Sequence, residues 1–150
     1  MTYLPDINVW IALAVAEHIH FKPATAWFQE RIEAAHDDIA FCRVTQMGFL
    51  RLLTRSTVMG SDALTPAQAW DFFDKLRSEG RLFFADEPSG LESNWRSITR
   101  HRHSLAAASW TDAYLAAFAA TSGFSLVTFD RGLARQPGIQ VRLLTPPRFT

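Results

Sequence analysis

The sequence predicts an α/β fold in which a central, mostly parallel five-stranded sheet lies between two layers of helices. Three observations carry this. Short strand-like runs alternate with helix-length segments along the whole chain. The stretch "SWTDAYLAAFAATSG" (109–123) is apolar nearly all round, as a central, covered helix must be. With 150 residues the chain is close to the commonest domain size, which predicts a single domain over 1–150 with one core.

Taken in order, Thr2 to Asp6 is too short for a helix and reads as a first strand. Asn8 to Glu17 is strongly apolar and helix-length, and "HFKPATAWFQERIEAAH" (20–36) places Ala24, Trp27, Phe28, Ile32 and Ala35 at helical spacing. "DIAFC" (38–42) is a short strand, followed by a helix in "RVTQMGFLRLLT" (43–54), for which Thr45 is a candidate cap. "RSTVMGSDAL" (55–64) reads as a mobile connection. "TPAQAWDFFDKLRSEG" (65–80) carries cap, first-turn proline and terminal glycine in helical order. "RLFFAD" (81–86) is a strand and "SGLESNWRSITRHRH" (89–103) a helix with a polar face. The buried helix 109–123 leads into the strand "SLVTFD" (125–130). A short helix and a last strand, "IQVRLLT" (139–145), complete the set.

Composition sets bounds on function. Hydrophobic residues make up 48% and charged residues 20%, a globular balance, and the formal net charge is zero. Any nucleic-acid surface must therefore be a local patch. Cys42 is the only cysteine, which rules out an internal disulfide and suits a reducing, cytoplasmic setting. No apolar run approaches a membrane span.

Open parallel sheets build their sites at the carboxyl ends of the strands. Three aspartates map there: Asp6 ends the first strand, Asp130 ends "SLVTFD", and Asp112 opens the buried helix between. Each has a plainer reading. Ser109 and Asp112 have capping-box spacing, and Asp6 and Asp130 can each cap the next helix. Together, however, three acids at one sheet edge repel one another unless a cation offsets their charge. Such hard oxygen donors suit magnesium or manganese.

At these residues the chain resembles a known family. "LPDINVWIAL", "RVTQMGFLRLLT", "WTDAYLAAFA" and "LVTFDRGL" are similar to the four motif blocks of PIN-domain ribonucleases, most of all the VapC-type toxins of bacterial toxin–antitoxin pairs. The resemblance runs from residue 2 to 145, and four blocks in order are specific where any one is weak. It implies the three-layer α/β/α PIN-like fold and a metal-dependent endoribonuclease working by in-line hydrolysis. It further implies a VapB-type antitoxin as partner, with homodimers and toxin–antitoxin hetero-oligomers. Asp6, Asp112 and Asp130 fall on three of the family's acidic positions and would hold Mg2+, with Mn2+ as substitute.

The fourth acidic position, ordinarily Glu, is Gln46. It shares a helix face with Phe49, Leu50 and Leu53 and so points inward. An amide there removes one negative charge while keeping hydrogen-bonding capacity, and is expected to orient a water or tune the metal site. Asn8 and Thr128, beside the acids, suit hydrogen bonding to a carboxylate or a scissile phosphate; their plainer readings are a cap and a strand residue. Arg51 and Arg55 flank the Gln46 helix and are candidates for holding RNA. "RHRH" (100–103) reads more simply as a solvated helix end, favoured by the helix dipole, than as a phosphate patch. His18 and His20 are two apart and read as half-exposed residues near a loop. Trp27, Phe28, Phe72 and Phe73 read most simply as core, with a dimer or antitoxin surface as the alternative for some of them.

Gln46 leaves open a second function, a weakened PIN-like module that binds RNA or protein without cleaving. An aspartyl phosphatase is a poorer match, because Asn8 stands where a second Asp is needed. A receiver domain lacks its paired acid at the first strand and its late lysine.

Overall fold

The computed structural model describes residues 1–145, with backbone alone at positions 107 and 108. Five strands form one sheet: β1 (Thr2–Pro5), β2 (Asp38–Phe41), β3 (Leu82–Phe84), β4 (Ser125–Thr128) and β5 (Gln140–Leu143). Their order across the sheet is β3-β2-β1-β4-β5, and every pairing is parallel. The expected mostly parallel sheet is thus parallel throughout.

Helices cover both faces. The chain crosses from β1 to β2 through α1 (Ile7–Ala14) and α2 (Phe21–Glu33), and from β2 to β3 through α3 (Arg43–Leu53), α4 (Ser56–Met59) and α5 (Pro66–Arg77). It then passes through α6 (Leu91–Thr99) and α7 (Ala107–Ser122) to β4, and through α8 (Arg131–Ala134) to β5. Side chains alternate across the central strands. Tyr3, Ile39, Phe41 and Val127 enter one core with Trp10, Trp27, Phe49 and Phe73, while Leu4, Ala40 and Leu126 enter the other with Leu115, Phe118 and Leu133. The first core is dense in aromatics: Trp10 stacks on Phe41 with centroids 3.8 Å apart, and Phe73 meets Phe41 edge-on. Two covered faces explain why the strands read as continuous apolar runs.

Several boundaries differ from the sequence reading. The helix expected over 89–103 ends at Thr99, so Arg100 is its C-terminal cap and residues 101–103 lie beyond it. The connection over 55–64 is not an open loop but holds α4 and a 3-10 turn at Gly60–Asp62. Thr45 is not the cap of α3. Cys42 is, with the Thr45 hydroxyl reaching back to the Cys42 amide. The capping box at Ser109–Asp112 is absent, because α7 starts at Ala107 and puts Asp112 in its second turn.

One contact ties the helix layer to the site. Gly48, in the middle of α3, lies against Ile7 so closely that a Cβ there would sit 2.3 Å from Ile7 Cδ1. Ile7 is the residue after Asp6, so the seating of α3 on α1 bears on the first acid.

Candidate active site

The strand order reverses between β1 and β4, since β2 and β3 lie to one side of β1 while β4 and β5 lie to the other. A crevice opens at such a switch point, beyond the carboxyl ends of the two strands. Asp6 directly follows β1, and Asp130 follows β4 with Phe129 between, so both stand at the crevice.

Asp6 is buried, 5% exposed, and is the N-cap of α1: one carboxylate oxygen accepts from the Val9 amide at 2.9 Å. The other accepts from the Thr128 hydroxyl at 2.6 Å. Thr128 is fully buried, and its oxygen also accepts the Asp130 amide at 3.0 Å. Asp130 in turn caps α8, accepting from the Gly132 and Leu133 amides. The capping reading of Asp6 and Asp130 is therefore correct as far as it goes. Each cap leaves acceptor capacity on the carboxylate, which has about four lone-pair positions.

Asp112 approaches from α7. It shares a cavity of about 240 Å³ with Asp6, Asn8, Arg51 and Thr111. It shares a second, of about 330 Å³, with Asp130, Arg102, Ser109 and Gln136. Unlike the other two acids it caps nothing.

The electrostatics follow from burial and crowding. Desolvation raises the Asp6 carboxyl from an ordinary 3.8 to about 6; the hydrogen bonds from Thr128 and Val9 pull it down, and the charges of Asp112 and Asp130 push it further up. Asp112 is raised too, by burial first and then by Asp130. Among the described residues the ion pairs are Met1–Asp37, Arg31–Glu30, Arg31–Asp37 and Arg96–Glu92, and none neutralises these three acids. Equally, no three His, Cys, Asp or Glu side chains among the described residues converge into a ready-made metal cage.

The donor set nonetheless fits magnesium. That ion dehydrates reluctantly and is usually held by one or two carboxylates, its own waters and substrate phosphates. Asp112, lining both cavities, with Asp6 on one side and Asp130 on the other, matches that requirement better than a closed cage would.

The other expected residues divide. Asn8 is exposed and Arg51 exposed, and both line the cavity with Asp6 and Asp112. Of the two partners expected for Thr128, the structure gives it the carboxylate: its buried hydroxyl donates to Asp6, and the substrate-binding role is corrected, since that proton is committed. Gln46 points inward as expected, 6% exposed, but its Oε1 accepts from Arg43, and it lines neither cavity with the acids. Arg43 also lies over the Phe84 ring. Arg102 was missed at the sequence level, where "RHRH" read as a solvated helix end. Its signal was the absence of any acid between Glu92 and Asp112.

Comparison with known proteins agrees with this fold. The PIN domain family model matches residues 3–139. The chain belongs to the PIN-domain family, and within it to the VapC ribonucleases. It is 45% identical to Ribonuclease VapC41 of Mycobacterium tuberculosis over 94% of this chain and 97% of that one. It is 36% identical to Ribonuclease VapC29 of the same organism, over 97% and 98%. Among solved structures, the fold matches VapBC2 from Rickettsia felis, bound to a DNA fragment from its promoter, with a TM-score of 0.69 at 15% identity, covering 97% of this chain and 100% of that one. It also matches Mycobacterium tuberculosis VapC20, a sarcin–ricin loop cleaving toxin, with a TM-score of 0.67 at 16% identity over 93% and 98%.

Proposed function

We propose that this chain is a magnesium-dependent endoribonuclease, the toxin of a toxin–antitoxin pair, that hydrolyses RNA phosphodiester bonds at the Asp6–Asp112–Asp130 crevice. The observation that carries the reading is the placing of three mutually repelling carboxylates at the switch point, two with raised pKa values and none paired with a cationic side chain among the described residues. A cation is the simplest counter-charge for such a cluster. That the relatives are named ribonucleases supports RNA as the substrate. VapBC complexes among the structural neighbours support a VapB-type antitoxin as partner. Homodimerisation is proposed alongside it.

Asp6 and Asp112 would hold the ion, with Asp130 as a further ligand directly or through water. The bound ion would supply charge stabilisation at the phosphoryl oxygens and lower the pKa of water in the crevice. Thr128 keeps Asp6 oriented and favours its ionised form by donating a hydrogen bond to it. Arg51 and Asn8 would hold the phosphate from the Asp6 side, and Arg102 from the Asp130 side. Gln46 acts at one remove, by seating Arg43 and the first turn of α3.

Incubation of the chain with end-labelled RNA in magnesium, in manganese and in chelator tests the reading. Cleavage in both metals, lost in chelator and in Asp112→Asn, is expected. A second reading, binding without cleavage, is favoured by Gln46 alone. It would be supported by RNA retention with no product at any metal concentration.

A further inference from the structure

A third cavity, about 480 Å³, adjoins the crevice and is lined by Arg96, Arg100, Arg102, His103 and Trp110 among others. Arg102 lines both this groove and the cavity of Asp112 and Asp130, so the two meet at that side chain. The concentration of charge is local. The chain as a whole is neutral, yet from Ser93 to Thr111 there are three arginines and two histidines and not one acid. The C-terminal dipole of α6 accounts for Arg96 and Arg100 but not for Arg102 and His103, which lie past its end.

The aromatic member of the groove is Trp110. It is 50% exposed, as Trp70 is at 49%, but Trp110 alone of the two stands among arginines beside the acid-lined crevice. It is not loose. Trp95 meets it edge-on, with centroids 6.1 Å apart at 87°, and the Trp95 indole N–H donates to the Trp110 carbonyl at 3.2 Å. An exposed indole held by a second tryptophan, among arginines, is the combination that single-stranded nucleic acid requires: cations for phosphates and a π-face for a base.

We infer that the Arg96–Arg100–Arg102–Trp110 groove binds single-stranded RNA next to the scissile phosphate, with its phosphates on the arginines and one unpaired base on Trp110. The inference rests on the ribonuclease reading and deepens it, since it assigns the substrate a path from Arg51, across the acids, past Arg102 and onto α6. Arg96 exchanges its exposed partner Glu92 for a phosphate, an ion pair of little strength to lose. Arg102, which rests on Gln136 Oε1 at 3.3 Å, is placed to contact the phosphate nearest the reaction.

The test uses the full chain carrying Asp112→Asn, to slow cleavage during the measurement, and a fluorescent single-stranded RNA of about a dozen nucleotides. Adding Trp110→Ala should weaken binding about ten-fold, because stacking of one base on an aromatic ring is lost. Adding Arg96→Ala with Arg100→Ala should lower the dependence of log K on log salt by about 1 to 1.5, as two phosphate contacts disappear. In the otherwise wild-type chain the same changes should raise KM for the long RNA, leave its kcat unchanged, and leave cleavage of a trinucleotide untouched. Unchanged affinity and salt dependence in both sets of variants would overturn the groove, as would equal binding of a fully paired RNA duplex. If wild type cleaves no RNA while the variants still lose binding, the groove stands and the nuclease reading fails.

Discussion

The Thr128 hydroxyl donates to Asp6 Oδ2 at 2.6 Å and accepts the Asp130 amide at 3.0 Å, so one buried side chain spans the ends of the two central strands and ties together two of the three acids. Thr128→Val has nearly the same shape but removes both bonds. It should cost about 1–3 kcal/mol, because the Asp130 N–H and an Asp6 oxygen lose their partners. It should also raise the Asp6 pKa further, since the Thr128 bond holds it down. The acid limb of the RNA-cleavage pH profile then moves to higher pH, and Thr128→Ser restores it. An unmoved limb with lowered stability would reduce Thr128 to a packing role.

Asp6 gives the metal-free protein a defined pH dependence. Its pKa is 3.8 ordinarily and about 6 in the fold, so between these values the folded state binds the extra proton. Stability therefore falls as pH rises through that window, by roughly 3 kcal/mol for a shift of about two units. Below the window the penalty is absent; above it the penalty is complete. Thermal unfolding in chelator at pH 4 to 7, wild type against Asp6→Asn, reads the difference directly. The variant should gain on wild type as pH rises, and a flat difference would contradict the burial of Asp6 as an ionised group.

Asp112 caps no helix, so its removal costs no cap. Asp112→Asn should leave metal-free stability unchanged or higher, because Asp6 and Asp130 lose a repelling neighbour. RNA cleavage should drop by roughly a hundredfold or more, the equivalent of several kcal/mol of lost charge stabilisation. A lower melting temperature with cleavage intact would return Asp112 to a structural role.

Gln46→Glu places a carboxylate beside Arg43 rather than in either acid-lined cavity. It should form an ion pair there and change magnesium affinity less than two-fold. Gln46→Ala should lower cleavage only partly. Calorimetric magnesium titration of the three forms separates this from direct ligation, which predicts much tighter binding in Gln46→Glu.

Gly48→Ala sets two effects against each other. Alanine in a helix interior is worth about 1 kcal/mol over glycine. The new Cβ, however, would fall 2.3 Å from Ile7 Cδ1 and 2.8 Å from Cγ1. Overpacking of that kind costs about 1–3 kcal/mol, so net destabilisation is expected by denaturant unfolding. Ile7→Val should relieve it, and a stabilised Gly48→Ala would show that α3 and α1 separate freely.

Element types were legible in the sequence because each depends on local pattern. The apolar run of β4, the Thr65 cap and first-turn proline that open α5, and the all-round apolar α7 read correctly without any partner in view; Gly80 does not close α5, which ends at Arg77 with Ser78 as its cap. Asp6, Asp112 and Asp130 were legible as well, because acids at the ends of apolar segments need a reason. What each side chain does was decided by tertiary structure. Thr128 and Asp6 are 122 residues apart, and only the pairing of β1 with β4 brings them into contact. Gln46 matched a motif position, yet a neighbour one turn away in its own helix, Arg43, takes its oxygen. Arg102 lies in a run that reads as a solvated helix end; the early stop of α6 at Thr99 leaves it beyond the helix, lining a cavity with Asp112 and Asp130. Periodicity is a property of neighbours in the chain, whereas a site is made by strand order, and strand order brings distant residues together at one edge of the sheet.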